Sequence, residues 1–374
     1  MKIHVDDDFQ SSRAVIKVIG VGGAGGNAVN RMANPALRDV DLIAANSDAQ
    51  DLRRSLAPLR VQLGETVTKG LGVGGQPEIG RRAAEESMER LREVLHGAHL
   101  IFITAGMGGG TGTGGAPVVA KIAREMGALT IGVVTRPFDF EGLHRATLAE
   151  SGIQEMRRHV DTLLIIPNQK LLAHMNHDAT TEEAYRSADD VLRKAVQSIS
   201  NVITNSGVIN VDLNDIRAIM KDAGEALIGM GEDSGPGRAL KAARAAIQSP
   251  LLENVAIDGA RGLIVNISGS SASLKLSETD EIMGFITNNI SPDAKIKMGK
   301  DYDEAMGEAL RVTVIATGFP ARRRQPLAGA TGRLRLSGAA AGRGGPEGGG
   351  SLEGGADLDW VKPAFLRIKS TRLK

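Results

Sequence analysis

Residues 104–115 read Thr-Ala-Gly-Met-Gly-Gly-Gly-Thr-Gly-Thr-Gly-Gly, a run whose chemistry lies in its backbone. Glycines at 106, 108, 109, 110, 112, 114 and 115 leave successive amides unshielded, while Thr111 and Thr113 add hydroxyl donors without charge. The apolar stretch 100–103 before it reads as a buried strand. The stretch 116–123 after it reads as a helix with Pro117 in its first turn. Bare amides at a helix N-terminus, reinforced by the helix dipole, make a cradle for phosphate.

A second glycine loop, Gly20-Val21-Gly22-Gly23-Ala24-Gly25, falls between a strand expected over 14–21 and a helix expected over 27–32. It satisfies the G-x-G-x-x-G pattern shared by dinucleotide enzymes, with glycines needed only for a tight turn as the weaker competing explanation. A dinucleotide site calls for an acidic residue closing the second strand. Here the strand expected over 41–46 ends in Asn46-Ser47-Asp48, which suits a shell around phosphate and metal better. Two amide loops at the C-terminal edges of neighbouring parallel strands can wrap a di- or triphosphate from both sides. No G-x-x-x-x-G-K-[ST] run occurs, so this is no P-loop NTPase.

Other residues could complete such a site. Glu141 can accept from ribose hydroxyls and Arg145, four residues on, can pair with phosphate; a plain ion pair at a helix start is the competing explanation. Tyr185 and Asp189 stand i, i+4, so a ring can stack on a purine while a carboxylate accepts from a guanine edge; a satisfied surface carboxylate is the competing explanation. Asp212 reads as a helix N-cap, but Asp215, one turn later, is more than a cap requires. With Asn210 these carboxylates could polarise a water or hold a cation. Histidines at 96, 99, 144, 159, 174 and 177 show no zinc spacing.

The elements that must carry these groups alternate strand and helix. Beyond those already named, strands are expected over 60–63, 129–134 and 162–167. A glycine-rich loop is expected over 64–80, and helices over 81–96 and 142–159. That alternation predicts an α/β fold with a mainly parallel nucleotide-binding sheet flanked by helices. A long central helix over 181–204 has the length of a domain and reads as a spine. Beyond it come helices over 212–228, 238–247 and 279–289 and strands over 262–267 and 310–316, a second, smaller α+β domain. The expected division is a flexible segment 1–13, a nucleotide domain 14–180, the spine 181–206 and a second domain 207–319. A disordered linker over 320–356 and a docking peptide over 357–374, holding the single tryptophan, complete it.

Composition narrows the class. The 374 residues are 42% hydrophobic and 24% charged, as in ordinary globular proteins, but only 3% aromatic, so the core must be aliphatic. The absence of cysteine excludes disulfides, thiolate metal sites and cysteine nucleophiles. No apolar run is long enough for a transmembrane helix and the acidic start is no secretory signal, so a cytoplasmic location is expected. The net charge of +1 hides an asymmetry: from Ala321 onward there are 11 Lys and Arg against 4 Asp and Glu, leaving the preceding 320 residues at −6. A basic tail can touch anionic surfaces or serve as a solvated linker.

Taken together these elements resemble the tubulin/FtsZ family, its bacterial branch in particular, from about residue 14 to 319 and again near 362–367. Gly-Gly-Gly-Thr-Gly-Thr-Gly at 108–114 carries the family resemblance. Thr-Arg-Pro-Phe-Asp-Phe-Glu-Gly at 135–142 and Asn-Val-Asp-Leu-Asn-Asp-Ile-Arg at 210–217 narrow it. The resemblance implies a GTPase, using GTP/GDP and Mg²⁺, that polymerises head to tail into a cytokinetic ring at the mid-cell division site. It assigns nucleotide contacts to Gly22, Gly23, Ala24, Gly25, Gly26 and Asn27, to Gly109, Gly110, Thr111 and Gly112, and to Thr135. Glu141 would hold ribose and Arg145 phosphate, while Asn168, Tyr185 and Asp189 would flank guanine. Asn210, Asp212 and Asp215 would serve catalysis on the neighbouring subunit. No residue is assigned to a metal.

The partners implied are further copies of the chain and, through Pro363, Ala364, Phe365, Leu366 and Arg367, a membrane-tethering adaptor and regulatory division proteins. Nucleic acid and membrane insertion are not expected. The chain departs from the family pattern at Ala24, at Tyr185 in place of phenylalanine, at His144 beside Arg145, and over 294–300, which is more polar than the usual strand. Two other readings compete: a related filament GTPase that positions DNA or shapes cells, and an NAD-dependent oxidoreductase drawn from the first glycine loop alone.

Overall fold

In a computed structural model of the protein, the residues described are 14–33, 39–172, 175, 178–204, 212–249, 251–252 and 259–319. The expectations for 1–13, Asn210, His174, His177, the linker and the terminal docking peptide lie outside them. Six strands, β1 (Ile16–Val21), β2 (Val40–Asn46), β3 (Leu59–Gln62), β4 (Leu100–Gly106), β5 (Leu129–Arg136) and β6 (Thr162–Pro167), are parallel to their neighbours. Four more, β7 (Gly224–Ser234), β8 (Gly262–Gly269), β9 (Lys295–Tyr302) and β10 (Ala309–Thr317), extend the same sheet. The order is β3-β2-β1-β4-β5-β6-β7-β10-β8-β9. From β1 the chain winds outward to β2 and β3, then returns to lay β4 on the other side of β1. A switch of direction of that kind opens a crevice beyond the strand C-termini, where α/β folds bind ligands.

The helices are α1 (Gly22–Met32), α2 (Ala49–Arg54), α3 (Glu65–Thr68), α4 (Pro77–Glu86), α5 (Met88–Leu95), α6 (Thr111–Glu125), α7 (Leu143–His159), α8 (Asn168–Leu171) and the spine α9 (Thr181–Thr204). After the spine come α10 (Leu213–Met220), α11 (Arg238–Ile247) and α12 (Leu276–Thr287). Alternate residues of the central strands face opposite sides. Val18, Phe102, Ile131 and Leu164 pack with α1, α9 and α10, and Ile19, Ile101, Ile103 and Leu163 pack with α4, α5, α6 and α7. A third aliphatic cluster joins α11 and α12 to β8 and β10. The shortage of aromatics is met by Ile, Leu, Val and Ala on both faces.

Several local expectations need correction. Pro117 lies inside α6 rather than in its first turn, because the helix begins at Thr111 and takes in glycines 112, 114 and 115. Those glycines are poor helix formers, but packing demands them: a Cβ on Gly114 would lie 1.9 Å from the Pro77 carbonyl oxygen, and one on Gly80 would lie 2.5 Å from that of Gly110. The loop expected over 64–80 contains α3 and the start of α4. The single helix expected over 81–96 divides at Ser87, whose hydroxyl accepts from the Gly64 amide and donates to the Gln62 carbonyl.

The largest correction concerns 212–228. The helix stops at Met220, Asp222 and Gly224 take positive φ, and the chain leaves as β7. Gly229 and Gly231 of β7 face α11, where added Cβ atoms would lie 2.0 Å and 2.1 Å from the Ala246 and Ala242 carbonyl oxygens. An apolar run with interspersed glycines reads as a weak helix in isolation. Only the neighbouring β6 and β10 turn it into a strand.

The α4–α6 contact is a testable support of the crevice. Gly114→Val forces the two helices apart and should cost about 2 kcal/mol of stability, seen as an earlier midpoint in denaturant unfolding, with weakened nucleotide binding in the variant that remains folded.

A nucleotide cleft and a remote carboxylate pair

The two glycine loops meet at the switch point. Gly22 opens α1 with φ of +74°, and a Cβ there would lie 2.8 Å from the Gly112 amide nitrogen, so the two backbones touch. Ala24 is accommodated because it faces Gly106: its methyl lies 2.6 Å from where a Gly106 Cβ would be. The Gly108 amide donates to the Thr113 hydroxyl at 2.9 Å, and the Ser47 and Thr111 hydroxyls are bonded at 2.6 Å. These bonds shape the loop, while the first amides of α6 have no carbonyl within their own helix to bond.

Around this point opens a cleft of about 670 Å³. Of the residues assigned to nucleotide, it gathers Gly23, Ala24, Asn27, Gly109, Gly110, Thr111, Gly112, Thr135, Glu141, Arg145, Asn168, Tyr185 and Asp189. Gly22 and Gly26 line a small adjoining recess, and Gly25 is buried beneath the loop, where an added Cβ would lie 2.4 Å from the Thr104 carbonyl oxygen. Two contributions went unread in the sequence: the wall Leu71-Gly72-Val73-Gly74-Gly75, and the side chains of Gln50, Asp51 and Arg54. The wall packs on the phosphate loop, since a Cβ on Gly110 would strike Val73 and Gly75. The density of glycine at 70, 72, 74 and 75 was the available signal, and all four take positive φ.

One edge of the cleft is acidic. Asp48 caps α2 through the amides of Gln50 and Asp51, and Asn46 donates to Asp51 at 2.6 Å. Burial, followed by the nearby Asp48 charge, raises the proton affinity of Asp51. Two converging carboxylates of this sort are what a magnesium ion shared with phosphate oxygens would relieve. The opposite edge carries Arg145, whose guanidinium lies 4.0 Å from the Cβ position of Gly109 and pairs with Glu141 at 2.5 Å. Both the helix-start ion pair and the placement at the cleft are therefore present. Glu141 is also bonded by the Phe138 amide at 2.8 Å.

The far wall suits a planar base. Tyr185 meets Phe138 edge-on at 5.3 Å, and burial together with the Glu141 charge raises the affinity of its hydroxyl for the proton. Asp189, 9% exposed, is held by Arg31 at 3.4 Å. Burial nevertheless pushes its pKa up to about 6, with Arg31 pulling the other way. Asn168 is buried with its Oδ1 lacking a hydrogen-bond partner among the described residues. A ring, an acceptor and an unused carbonyl oxygen at one wall form a recognition surface for a purine with donor groups on its edge.

The carboxylates assigned to catalysis are elsewhere. Tyr185, Ala188 and Asp189 near the start of α9 line the cleft, whereas Asp212 and Asp215 follow its end. The spine has 24 residues, about 35 Å at roughly 1.5 Å each. Asp212 caps α10, its Oδ1 accepting from the Asp215 amide at 2.7 Å. Asp215 is not free, because Lys297 of β9 lies 2.6 Å from its Oδ1. Among the histidines, His99 accepts from the Val15 amide and His159 meets Glu155, both structural contacts. Among the described residues no group of three or more His, Cys, Asp or Glu is placed to hold a metal by protein ligands alone, and no helix is long and apolar enough to cross a membrane.

Comparison with known proteins agrees with this geometry. Residues 15–176 match the model of the tubulin/FtsZ family GTPase domain and residues 224–320 that of the FtsZ family C-terminal domain. The chain is 50% identical over 337 residues to the cell division protein FtsZ of Azotobacter vinelandii, covering 90% of this chain and 85% of that one. Among solved structures, an FtsZ dimer from M. jannaschii superposes with a TM-score of 0.80 at 41% identity, over 83% of this chain and 89% of that one. CetZ2 from Haloferax volcanii shares the fold, with a TM-score of 0.70 at 22% identity, over 83% and 94% of the two chains. With both family models matched in order and the two glycine loops meeting at the switch point, the chain belongs to the tubulin/FtsZ family.

Proposed function

We propose that this chain, a tubulin-like GTPase of cell division, hydrolyses GTP only where two copies meet head to tail, in filaments that build the ring at mid-cell. One observation carries the reading: the phosphate cradle and the carboxylates Asp212 and Asp215 sit at opposite ends of a 24-residue helix. A single subunit cannot bring them together. A neighbour whose lower end covers the cleft supplies them, and a contact between unlike surfaces repeats into a filament. Leu71, Phe140 and Leu143 stand exposed on and beside the cleft rim and favour such a cover.

In this reading the amides of the two glycine loops hold the phosphates and Arg145 neutralises charge at their edge. Glu141 turns to ribose, and Tyr185, Asn168 and Asp189 take guanine. Asp48 and Asp51 would hold a magnesium ion, which would supply charge neutralisation at the phosphates. From the neighbour, Asn210, Asp212 and Asp215 orient the attacking water and accept its proton. Loss of the γ-phosphate then weakens the joint. The terminal segment carrying Pro363, Ala364, Phe365, Leu366 and Arg367 serves a membrane-tethering adaptor.

Asp212→Ala should retain GTP binding and assemble, yet lose on the order of a hundredfold in turnover. Gly110→Asp should lose binding itself, since any side chain there collides with Val73. Equilibrium binding beside phosphate release separates the two, and normal turnover by Asp212→Ala ends the shared-site reading.

The raised Asp189 pKa predicts a pH dependence. Its ionisation costs the unliganded fold stability as pH rises from about 4 to about 6. A guanine edge that donates to the ionised carboxylate reverses that preference. GTP affinity of the monomer should therefore weaken about tenfold between pH 7 and pH 5, and Asp189→Asn should flatten the profile in calorimetry. For the tail, deletion of residues 357–374 should leave turnover unchanged while abolishing co-sedimentation with adaptor-coated vesicles.

A further inference from the structure

The edge strand β9 carries Lys295, Lys297 and Lys300. Lysine at a sheet edge commonly serves only to block pairing with other chains, and Lys295, which is exposed, fits that role. Lys297 does not. It is half-buried, and its ammonium meets Asp215 Oδ1 at 2.6 Å. Residues 297, 299 and 301 alternate onto one face of β9, and that face meets the region that follows the nucleotide cleft along the spine. A Cβ on Gly299 would lie 2.6 Å from Val202 of α9, and Asp301 accepts from Asn201 of α9 at 2.6 Å. The other face, Ile296 and Met298, packs into the third aliphatic cluster. One strand is thus pinned to the end of the spine at two points and to the start of α10 at a third.

The bonding around the two carboxylates is asymmetric. Asp212 uses Oδ1 to cap α10, and Asp215 uses Oδ1 to meet Lys297. For both carboxylates the contact that ties them to the fold is made through Oδ1.

We propose that Lys297 is a positioning residue of the shared hydrolytic site: it fixes the Asp215 carboxylate so that its second oxygen is aimed across the joint at the neighbour's nucleotide. This rests on the reading of Asp215 given above. A carboxylate on an exposed helix end has several rotamers of similar energy, and a reacting group must be held close to one geometry to be effective. The pair is a third exposed on each side, and such pairs add little to stability, so removing it leaves the fold standing and isolates the positioning effect.

The test compares Lys297→Met, Lys297→Arg, Asp215→Asn and the Lys297→Met/Asp215→Asn double variant in the full chain. GTP affinity of the monomer, sedimented polymer mass and phosphate release per sedimented subunit are measured for each. Lys297→Met should bind GTP and assemble as the parent does but turn over on the order of tenfold more slowly per sedimented subunit, the usual effect of losing a group that orients a reacting carboxylate. KM should not change, Lys297→Arg should restore most of the rate, and the double variant should be no slower than Asp215→Asn alone. Parental turnover by Lys297→Met beside a slow Asp215→Asn overturns the positioning role and leaves the shared site intact. A loss that tracks polymer mass, or that Arg does not restore, marks Lys297 as structural and also overturns it. Parental turnover by Asp215→Asn removes the underlying reading, and the inference with it.

Discussion

Contact between backbones at the switch point is the constraint on which the rest of this structure depends. Gly22 rests on Gly112, Gly110 on the wall around Val73 and Gly75, and Gly114 on the Pro77 carbonyl. Each contact is closer than a side chain allows, so three segments distant in sequence converge with their peptide groups facing one cleft. A Cβ at any of these positions would force the loops apart. Phosphate binding by amides needs that density of donors, because a neutral N–H contributes less individually than a charged side chain.

The same arrangement explains how chemistry is divided along the molecule. Its cleft is rich in groups that bind: amides, an arginine, an acidic edge and a wall for the base. The carboxylates that could polarise water are placed beyond the far end of α9. A rigid helix packed into the largest aliphatic cluster along most of its length cannot fold back to close that distance. In the function proposed here, binding and hydrolysis are separated within one subunit and joined only by assembly. The spine touches the base site at its start, and β9 grips its end through Val202 and Asn201, so a shift of the helix reaches both sites through packed atoms.

Much of this was legible in the residues. The glycine loops, the spine over 181–204 and the helix over 238–247 follow from local pattern, because glycine density, helical spacing and turn chemistry act over a few residues; Asn27, Thr135 and Asn168 were reached only through the family resemblance. The acidic corner was half-legible, since Asn46-Ser47-Asp48 was visible at a strand end whereas Asp51 and Arg54 enter only because α2 folds back over the cleft.

What the sequence by itself determined is the set of chemical groups, the α/β alternation and the phosphate cradle, all encoded in short-range spacing. Tertiary structure decided the fate of 224–234, where interspersed glycines favour neither state until β6, β10 and α11 surround them. It also decided the early start of α6, whose glycines become helical because α4 lies against them. And it decided the partner of Asp215, since Lys297 is 82 residues away in the chain and only the parallel pairing of β9 with β8 carries it to the start of α10. In each case the deciding contact spans elements far apart in sequence, and no local preference of the chain encodes a neighbour that the fold has yet to supply.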